Sequence, residues 1–116
     1  MEDIEKYKDF LGEIVRVQID RPLGSKHPTL GFIYELNYGF VPGTEAGDGH
    51  EIDAYVIGPD TPVHSFEGPC VAIIVRHDDN EHKLVVASGD IGQEMISNAT
   101  RFVERHYETS LILYES

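Results

Sequence analysis

The chain has 116 residues, with 21 carboxylates against 9 Lys and Arg and a formal charge of -12. One domain, residues 1–116, is expected at this length, and so acidic a surface excludes nucleic acid and anionic membrane as partners, since both need a cationic face. Cys70 is alone in the apolar run PCVAIIV, the N-terminal MEDIEKYKDF is charged, and no apolar run approaches the ~18 residues of a membrane span, which together point to a reduced, cytoplasmic location.

In residues 2–11, Ile4, Tyr7 and Leu11 fall at helical spacing with Gly12 as a stop, which predicts a short amphipathic helix. Val15, Val17 and Ile19 then alternate with Arg16, Gln18 and Asp20, the period of a half-buried strand, which runs into the turn RPLGSKHP. Residues 31–41 are aromatic and β-favouring, and GTEAGDG ends them in a loop. IDAYVIG is predicted as a strand with Asp53 and Tyr55 on one face and Ile52, Ala54 and Val56 on the other, so that Asp53 points away from the apolar side.

CVAIIVRH is apolar on both faces and reads as a central strand, joined through the acidic turn DDNE to HKLVVAS as a hairpin. Glu81 and Lys83, two apart, project to one face of the return strand. The last long element starts near Asp90, with Gln93 as capping partner, and carries Met95, Ile96, Ala99, Phe102, Val103 and His106 as one helical stripe within residues 92–107. LILY follows as a final edge strand. Several short strands followed by one helix predict an α+β, mainly β fold, a small antiparallel β-barrel with the C-terminal helix packed on it.

Asp48-Gly49 is an ordinary turn pair, and a polar loop in so acidic a chain needs no function. Against that reading stands its company: Asp53 on a polar strand face, Asp78, Asp79 and Glu81 at a second turn, and Lys83 beside them. Hard cations such as Mg²⁺ take several oxygen ligands, which carboxylates from separate turns supply by converging, and a neighbouring lysine then suits a phosphate. On the residues alone both readings stay open. His77 and His82 flank the second turn as candidates for a transition-metal site.

The segment Tyr34-Glu-Leu-Asn37-Tyr38-Gly39-Phe, followed at fixed distance by Asp48-Gly-His50-Glu-Ile-Asp53, resembles the core of the soluble family I inorganic pyrophosphatases, whose signature reads YPxNYGxxPxT and then D-G-D-P-x-D. The spacing agrees from Tyr34 to Asp53 and includes Thr44. VQIDRPLGS is similar to the family's first strand and places Asp20 at a site acid behind the metal ligands and Lys26 near a phosphate-binding lysine. Glu81-His-Lys83-Leu-Val is similar to D-x-K-L-V, whose acid ligates metal and whose lysine binds phosphate, and Asp78 matches a further metal-binding acid. RFVERHY is similar to the helix end F-x-x-H-Y-K and puts Tyr107 at a phosphate-contacting tyrosine.

The resemblance implies an OB-like barrel that hydrolyses a small-molecule substrate, pyrophosphate, with Mg²⁺ (or Mn²⁺ or Co²⁺), and that forms a homo-oligomer. It implies Asp48, Asp53, Asp78 and Glu81 as metal ligands, Asp48, His50 and Tyr38 at the catalytic centre, and Lys83, Tyr107 and Lys26 on phosphate oxygens. Three departures accompany it. His50 stands where the family has its middle aspartate, Glu108 replaces the lysine after the last tyrosine, and an arginine-bearing hairpin between RPLGSKHP and Tyr34 is missing, with Arg21 or Lys26 as stand-ins. Two alternatives follow from these departures: a barrel that binds a phosphorylated ligand or a partner protein without catalysis, and a hydrolase of another phosphoanhydride, such as a nucleotide, in a site opened by the lost hairpin.

Overall fold

The computed structural model describes residues 4–46, 49–89 and 91–115. Helix α1 (Ile4–Lys8) leads into β1 (Ile14–Arg21), β2 (Asn37–Val41), β3 (Ile52–Ile57), β4 (Ser65–Arg76), β5 (Lys83–Ala87), helix α2 (Gln93–Glu104) and β6 (Thr109–Leu113). The strands follow the order β1-β2-β3-β5-β4-β6, and a further β1–β4 pairing closes the first five into a barrel with β6 alongside β4. All pairings are antiparallel except β3 with β5, where Ala54 faces Leu84 and Val56 faces Val86. That parallel pair lies outside the sequence expectation, because a crossover leaves no periodic signature in either strand.

Strand alternation sorts the apolar residues into two cores. Val17, Ile52, Ala54, Val56, Cys70, Ile73, Leu84 and Val86 form the enclosed one, with Tyr7 of α1, fully buried, among them. The opposite faces of β3, β4 and β5 contribute Tyr55, Ile74 and Val85 to a second core, which Ile96 and Phe102 of α2 cover. This is why β5 is buried along its whole length. It also corrects the expectation for β3: the face of Asp53 becomes apolar one step on, where Tyr55 and Ile57 lie under α2.

Helix α2 is shorter than residues 92–107 and rotated relative to the expected stripe. Its buried residues are Ile96, Thr100, Phe102 and Glu104, while Met95 is 54 % exposed and His106 lies beyond its end. Gly92 is the N-cap and gives no side-chain cap; Asp90 of the expected capping pair lies outside the described residues. Among the described residues no helix is long and apolar enough to cross a membrane.

The segment between β1 and β2 is a short hairpin. His27 N–H donates to Phe32 O and Tyr34 N–H to Ser25 O, both at 2.8 Å, with Lys26 bridged to Ile33. Its aromatic side turns inward: His27, Phe32, Tyr34 and Tyr38 form a chain of ring contacts with centroids 5.0–6.2 Å apart, which reaches Phe102 of α2.

Candidate active site

The parallel register of β3 and β5 builds the centre of the site. With Ala54 opposite Leu84, Asp53 and Lys83 come side by side at the first turns of their strands and project to one face. Lys83 Nζ lies 2.9 Å from Asp53 Oδ2, and the same oxygen accepts from Tyr38 Oη at 2.8 Å. Tyr38 reaches it diagonally across the β2–β3 ladder, in which Phe40 faces Asp53. The Lys83 side chain is 7 % exposed against 40 % for Asp53, so the ammonium is nearly enclosed while the carboxylate keeps an open side. Enclosure and the facing carboxylate of Asp53 push the Tyr38 phenol well above its ordinary range, so it is a committed proton donor.

The next strand adds Asp20, which falls at an irregularity in the β1–β2 register between Ile19 and Arg21. Its carboxyl is raised first by partial burial, with Arg21 pulling the other way and Asp53 and Glu51 adding repulsion. Arg21 lies close enough to the Tyr34 phenol to oppose the upward shift that burial gives it. Arg21 therefore stands at the mouth of the site, whereas Lys26 is exposed on the hairpin arm.

From the other side comes the β4–β5 turn, which Asn80 closes with φ 59°. Asp79 accepts from Glu81 N–H at 2.9 Å through Oδ1 and from Arg76 Nη1 at 3.1 Å through Oδ2. Partial burial raises the Glu81 carboxyl, Lys83 opposes the rise, and Asp79 adds to it. Glu81 thus stays beside Lys83 although it precedes the strand. Asp78 turns elsewhere and accepts from Glu108 N–H at 3.1 Å, at the start of β6.

Beneath the turn lies a buried network without a counterpart in the sequence reading. Arg76 donates to Glu104 through Nε at 2.9 Å and Nη2 at 2.8 Å, and Tyr55 Oη donates to Glu104 at 2.5 Å. Tyr107 stacks on the guanidinium, 3.8 Å from centroid to Cζ. Burial and the anionic partner push the Tyr55 phenol far up, and Glu104 holds Arg76 charged against the cost of its burial. The available signal was Glu104 itself, at i+8 from Ile96 through Thr100 on the buried side of α2.

Other motif residues hold the scaffold. Asn37, fully buried, accepts from Leu23 N–H at 3.0 Å and Val63 N–H at 3.2 Å and donates to Thr61 O at 3.0 Å. A Cβ on Gly39 would collide with the Gln18 carbonyl and lie 2.9 Å from Ile19 Cα, so only glycine lets β1 and β2 approach. Thr44 closes the following loop by donating to Val41 O at 2.6 Å and accepting from Ile52 N–H at 3.0 Å.

A model of the inorganic pyrophosphatase family matches residues 12–108. The chain belongs to this family. It is 29 % identical to an inorganic pyrophosphatase of Ralstonia nicotianae (strain ATCC BAA-1114 / GMI1000), an alignment covering 78 % of this chain and 59 % of the relative. The chain therefore spans about three fifths of the length of that curated relative. A crystal structure of an inorganic pyrophosphatase from Ehrlichia chaffeensis superposes with a TM-score of 0.69 at 18 % identity, over 90 % of this chain and 88 % of the other. One from Coxiella burnetii gives 0.60 at 20 % identity, over 91 % and 88 %. The pyrophosphatase fold, a barrel with a C-terminal helix, is thus shared.

Of the residues singled out by resemblance to the pyrophosphatases, Asp53, Lys83 and Tyr38 are in direct contact, and Asp20 and Glu81 sit at the margins of that group. Tyr107 faces Arg76, and Asp78 is tied to β6. Asp48 lies outside the described residues, and His50 is exposed on the loop, its carbonyl accepting from Ala46 N–H at 2.6 Å. The two candidate histidines are turned to structural partners: His77 Nε2 meets Ser110 Oγ at 2.9 Å, and His82 Nδ1 accepts from Arg76 N–H at 3.0 Å. Among the described residues no group of three or more His, Cys, Asp or Glu is placed to hold a metal ion.

Proposed function

We propose that the chain is a divalent-metal-dependent hydrolase of inorganic pyrophosphate that works in the cytoplasm as a homo-oligomer. The observation carrying this reading is the contact of Lys83 Nζ and Tyr38 Oη with one oxygen of Asp53, within the segment that resembles the family signature. A strongly acidic chain repels a bare polyanion, so the phosphates need positive charge at the point of attack. Asp53 and Glu51 repel the Asp20 carboxylate and Glu81 lies near Lys83, so the chemistry on offer is carboxylate oxygen, the donor type that a hard cation such as Mg²⁺ takes. Asp53, with its open side, and Asp48 would hold such an ion, with Glu81 and Asp78 as the further acids implied by resemblance.

When bound, such an ion would neutralise charge on the phosphates and make water a better nucleophile at neutral pH. Lys83 and Tyr38 carry the donors that can turn from Asp53 to a phosphate oxygen, and the phenol, held protonated, gives a hydrogen bond without losing its proton. Arg21 brings a second cation to the same mouth, at the base of the short hairpin between β1 and β2.

The test is phosphate release from pyrophosphate by the purified chain with Mg²⁺, Mn²⁺ and Co²⁺. Activity should vanish with a chelator and fall at least a hundredfold in Asp53→Asn, which keeps size but removes charge. Imidazole prefers softer ions, so the wild type should work better with Mn²⁺ or Co²⁺ than with Mg²⁺, and His50→Asp should shift the ranking back. Absence of phosphate release with every metal would overturn the reading.

A further inference from the structure

Arg76 lies buried at the end of β4, with its guanidinium in use along its edges and on one face. Nε and Nη2 donate to Glu104 of α2 at 2.9 and 2.8 Å, and Nη1 donates to Asp79 of the β4–β5 turn at 3.1 Å. The flat face carries the Tyr107 ring, its centroid 3.8 Å from Cζ. The Arg76 main-chain N–H donates to His82 Nδ1 at 3.0 Å, next to Lys83. One residue thus joins the end of α2, the β4–β5 turn and the start of β5.

These segments carry residues of the candidate site. Asp79 gives one oxygen to Arg76 and the other to the Glu81 N–H at 2.9 Å, so the backbone of Glu81 is fixed through Asp79. Asn80 between them takes the left-handed conformation at φ 59°, and the Asp79 carboxylate spans that bend. Tyr107 follows the end of α2, where its N–H donates to Glu104 O at 3.0 Å, and the plane it rests on sets the direction of its ring. Ion pairing alone does not call for this arrangement. A buried pair contributes little over apolar residues of the same volume, and Arg76 with Glu104 is balanced in charge without Asp79. The third partner and the stacked ring are the two contacts that lead to Glu81 and Tyr107. A lysine could keep the charge but could not serve both carboxylates and the ring at once.

We propose that Arg76 is a positioning residue for the reaction, which aims Glu81 at the metal through Asp79 and Tyr107 at the phosphate by stacking. The inference rests on the hydrolase reading above and gives Arg76 no contact with substrate. Removing a group that orients a metal-binding side chain from behind changes metal affinity by about 10- to 100-fold, and that scale sets the effects expected here.

The experiment measures Mn²⁺ binding by electron paramagnetic resonance, inorganic phosphate binding by calorimetry, and kcat and KM for pyrophosphate. The proteins are the wild type, Asp79→Asn, Arg76→Lys, Glu81→Gln, the double variant of Asp79→Asn with Glu81→Gln, and Val17→Ala. Asn has a single acceptor oxygen and cannot serve Arg76 and Glu81 together, so Asp79→Asn should weaken Mn²⁺ binding about tenfold and leave KM at saturating metal within about twofold. The double variant should lose no more than Glu81→Gln alone; summed losses would make Asp79 a metal ligand in its own right and overturn the inference. Arg76→Lys should weaken Mn²⁺ binding about tenfold and also raise KM about tenfold. Should Arg76→Lys not fold, the Asp79→Asn cycle decides alone, because the partly exposed Asp79 side chain tolerates an isosteric change. Val17→Ala opens a cavity in the enclosed core and should lower the melting temperature while both constants stay in place. If Val17→Ala moves them as far as the other variants do, the effects are those of stability and the inference falls. Pyrophosphate cleavage with both constants unchanged in Asp79→Asn and Arg76→Lys also overturns it and leaves the hydrolase reading intact. If nothing is hydrolysed, weaker Mn²⁺ binding in Asp79→Asn and weaker phosphate binding in Arg76→Lys uphold the positioning role while the hydrolase reading fails. A wild type that binds neither Mn²⁺ nor phosphate overturns both.

Discussion

Replacing Glu104 with Gln breaks the buried network at its anionic end. Glu104 accepts from Arg76 Nε and Nη2 at 2.9 and 2.8 Å and from Tyr55 Oη at 2.5 Å, and Arg76 and Glu104 are only 4 % and 7 % exposed. Gln keeps the shape and an oxygen for Tyr55 but removes the charge, so the enclosed guanidinium is left with Asp79. Losing one partner of a buried ion pair costs about 3 to 5 kcal/mol, because the remaining charge stays out of water. Asp79, still 3.1 Å from Nη1, places the expected loss at the lower end. A loss of about 3 kcal/mol, at about 4 °C per kcal/mol for a domain of this size, lowers the melting midpoint by roughly 12 °C.

The assay is urea and thermal unfolding of Glu104→Gln, Arg76→Met and the double variant. Removing both charges leaves no buried ion, so the double variant should lose clearly less than the sum of the singles. A loss under about 1 kcal/mol for Glu104→Gln, the scale of an exposed pair, would refute the argument, and so would strict additivity in the double variant.

Asn37→Ala removes the acceptor of two backbone N–H groups and the donor to Thr61 O, and at about 1 to 3 kcal/mol per group left unsatisfied it should lower stability by roughly 3 kcal/mol in urea unfolding. Asp20 has a folded-state carboxyl raised above 3.8, chiefly by burial, so the native state binds more protons and stability falls as pH rises from 3.8 through that raised value. Asp20→Asn should therefore raise the melting temperature at pH 7 and lose that advantage below pH 3.8, and an equal gain at both pH values would count against it. Cys70 is fully buried with its thiol pushed up to about 11, so alkylation at pH 8, followed by mass spectrometry, should modify it only after denaturant is added.

Elements with one apolar face or two were legible from spacing alone. β1 alternates as Val15, Val17 and Ile19 demand, β4 is central with β1, β5 and β6 beside it, and LILY lies largely within the edge strand β6. What spacing cannot carry is which distant strands meet. The β3–β5 parallel pairing joins residues 30 apart, and it alone brings Asp53 to Lys83. Their shared site was legible only through resemblance to the pyrophosphatases. The stripe of α2 was misplaced because Thr100 and Glu104 look solvent-seeking, whereas Thr100 satisfies itself on Ile96 O and Glu104 is neutralised by Arg76. A buried charge is written in the sequence as two unrelated surface-like residues, and only tertiary structure shows that they are partners.

The segment Asn37-Tyr38-Gly39 shows why this family signature is so compact. In a strand, successive side chains leave on opposite faces, so Asn37 and Gly39 share one side and Tyr38 takes the other. The first side faces the barrel and its neighbours, where it needs a clamp for the flanking loops and a residue without Cβ for the approach of β1. The second faces Asp53, where it needs a phenol of fixed position. Scaffold and chemistry are thus interleaved on one strand: Gly39 sets how closely β1 approaches, and with it the irregularity that places Asp20, while Tyr38 meets Asp53 across the β2–β3 ladder. A substitution at Gly39 that shifts β1 would therefore displace Asp20 and Arg21 together, and lose the mouth of the site without touching a single residue that lines it.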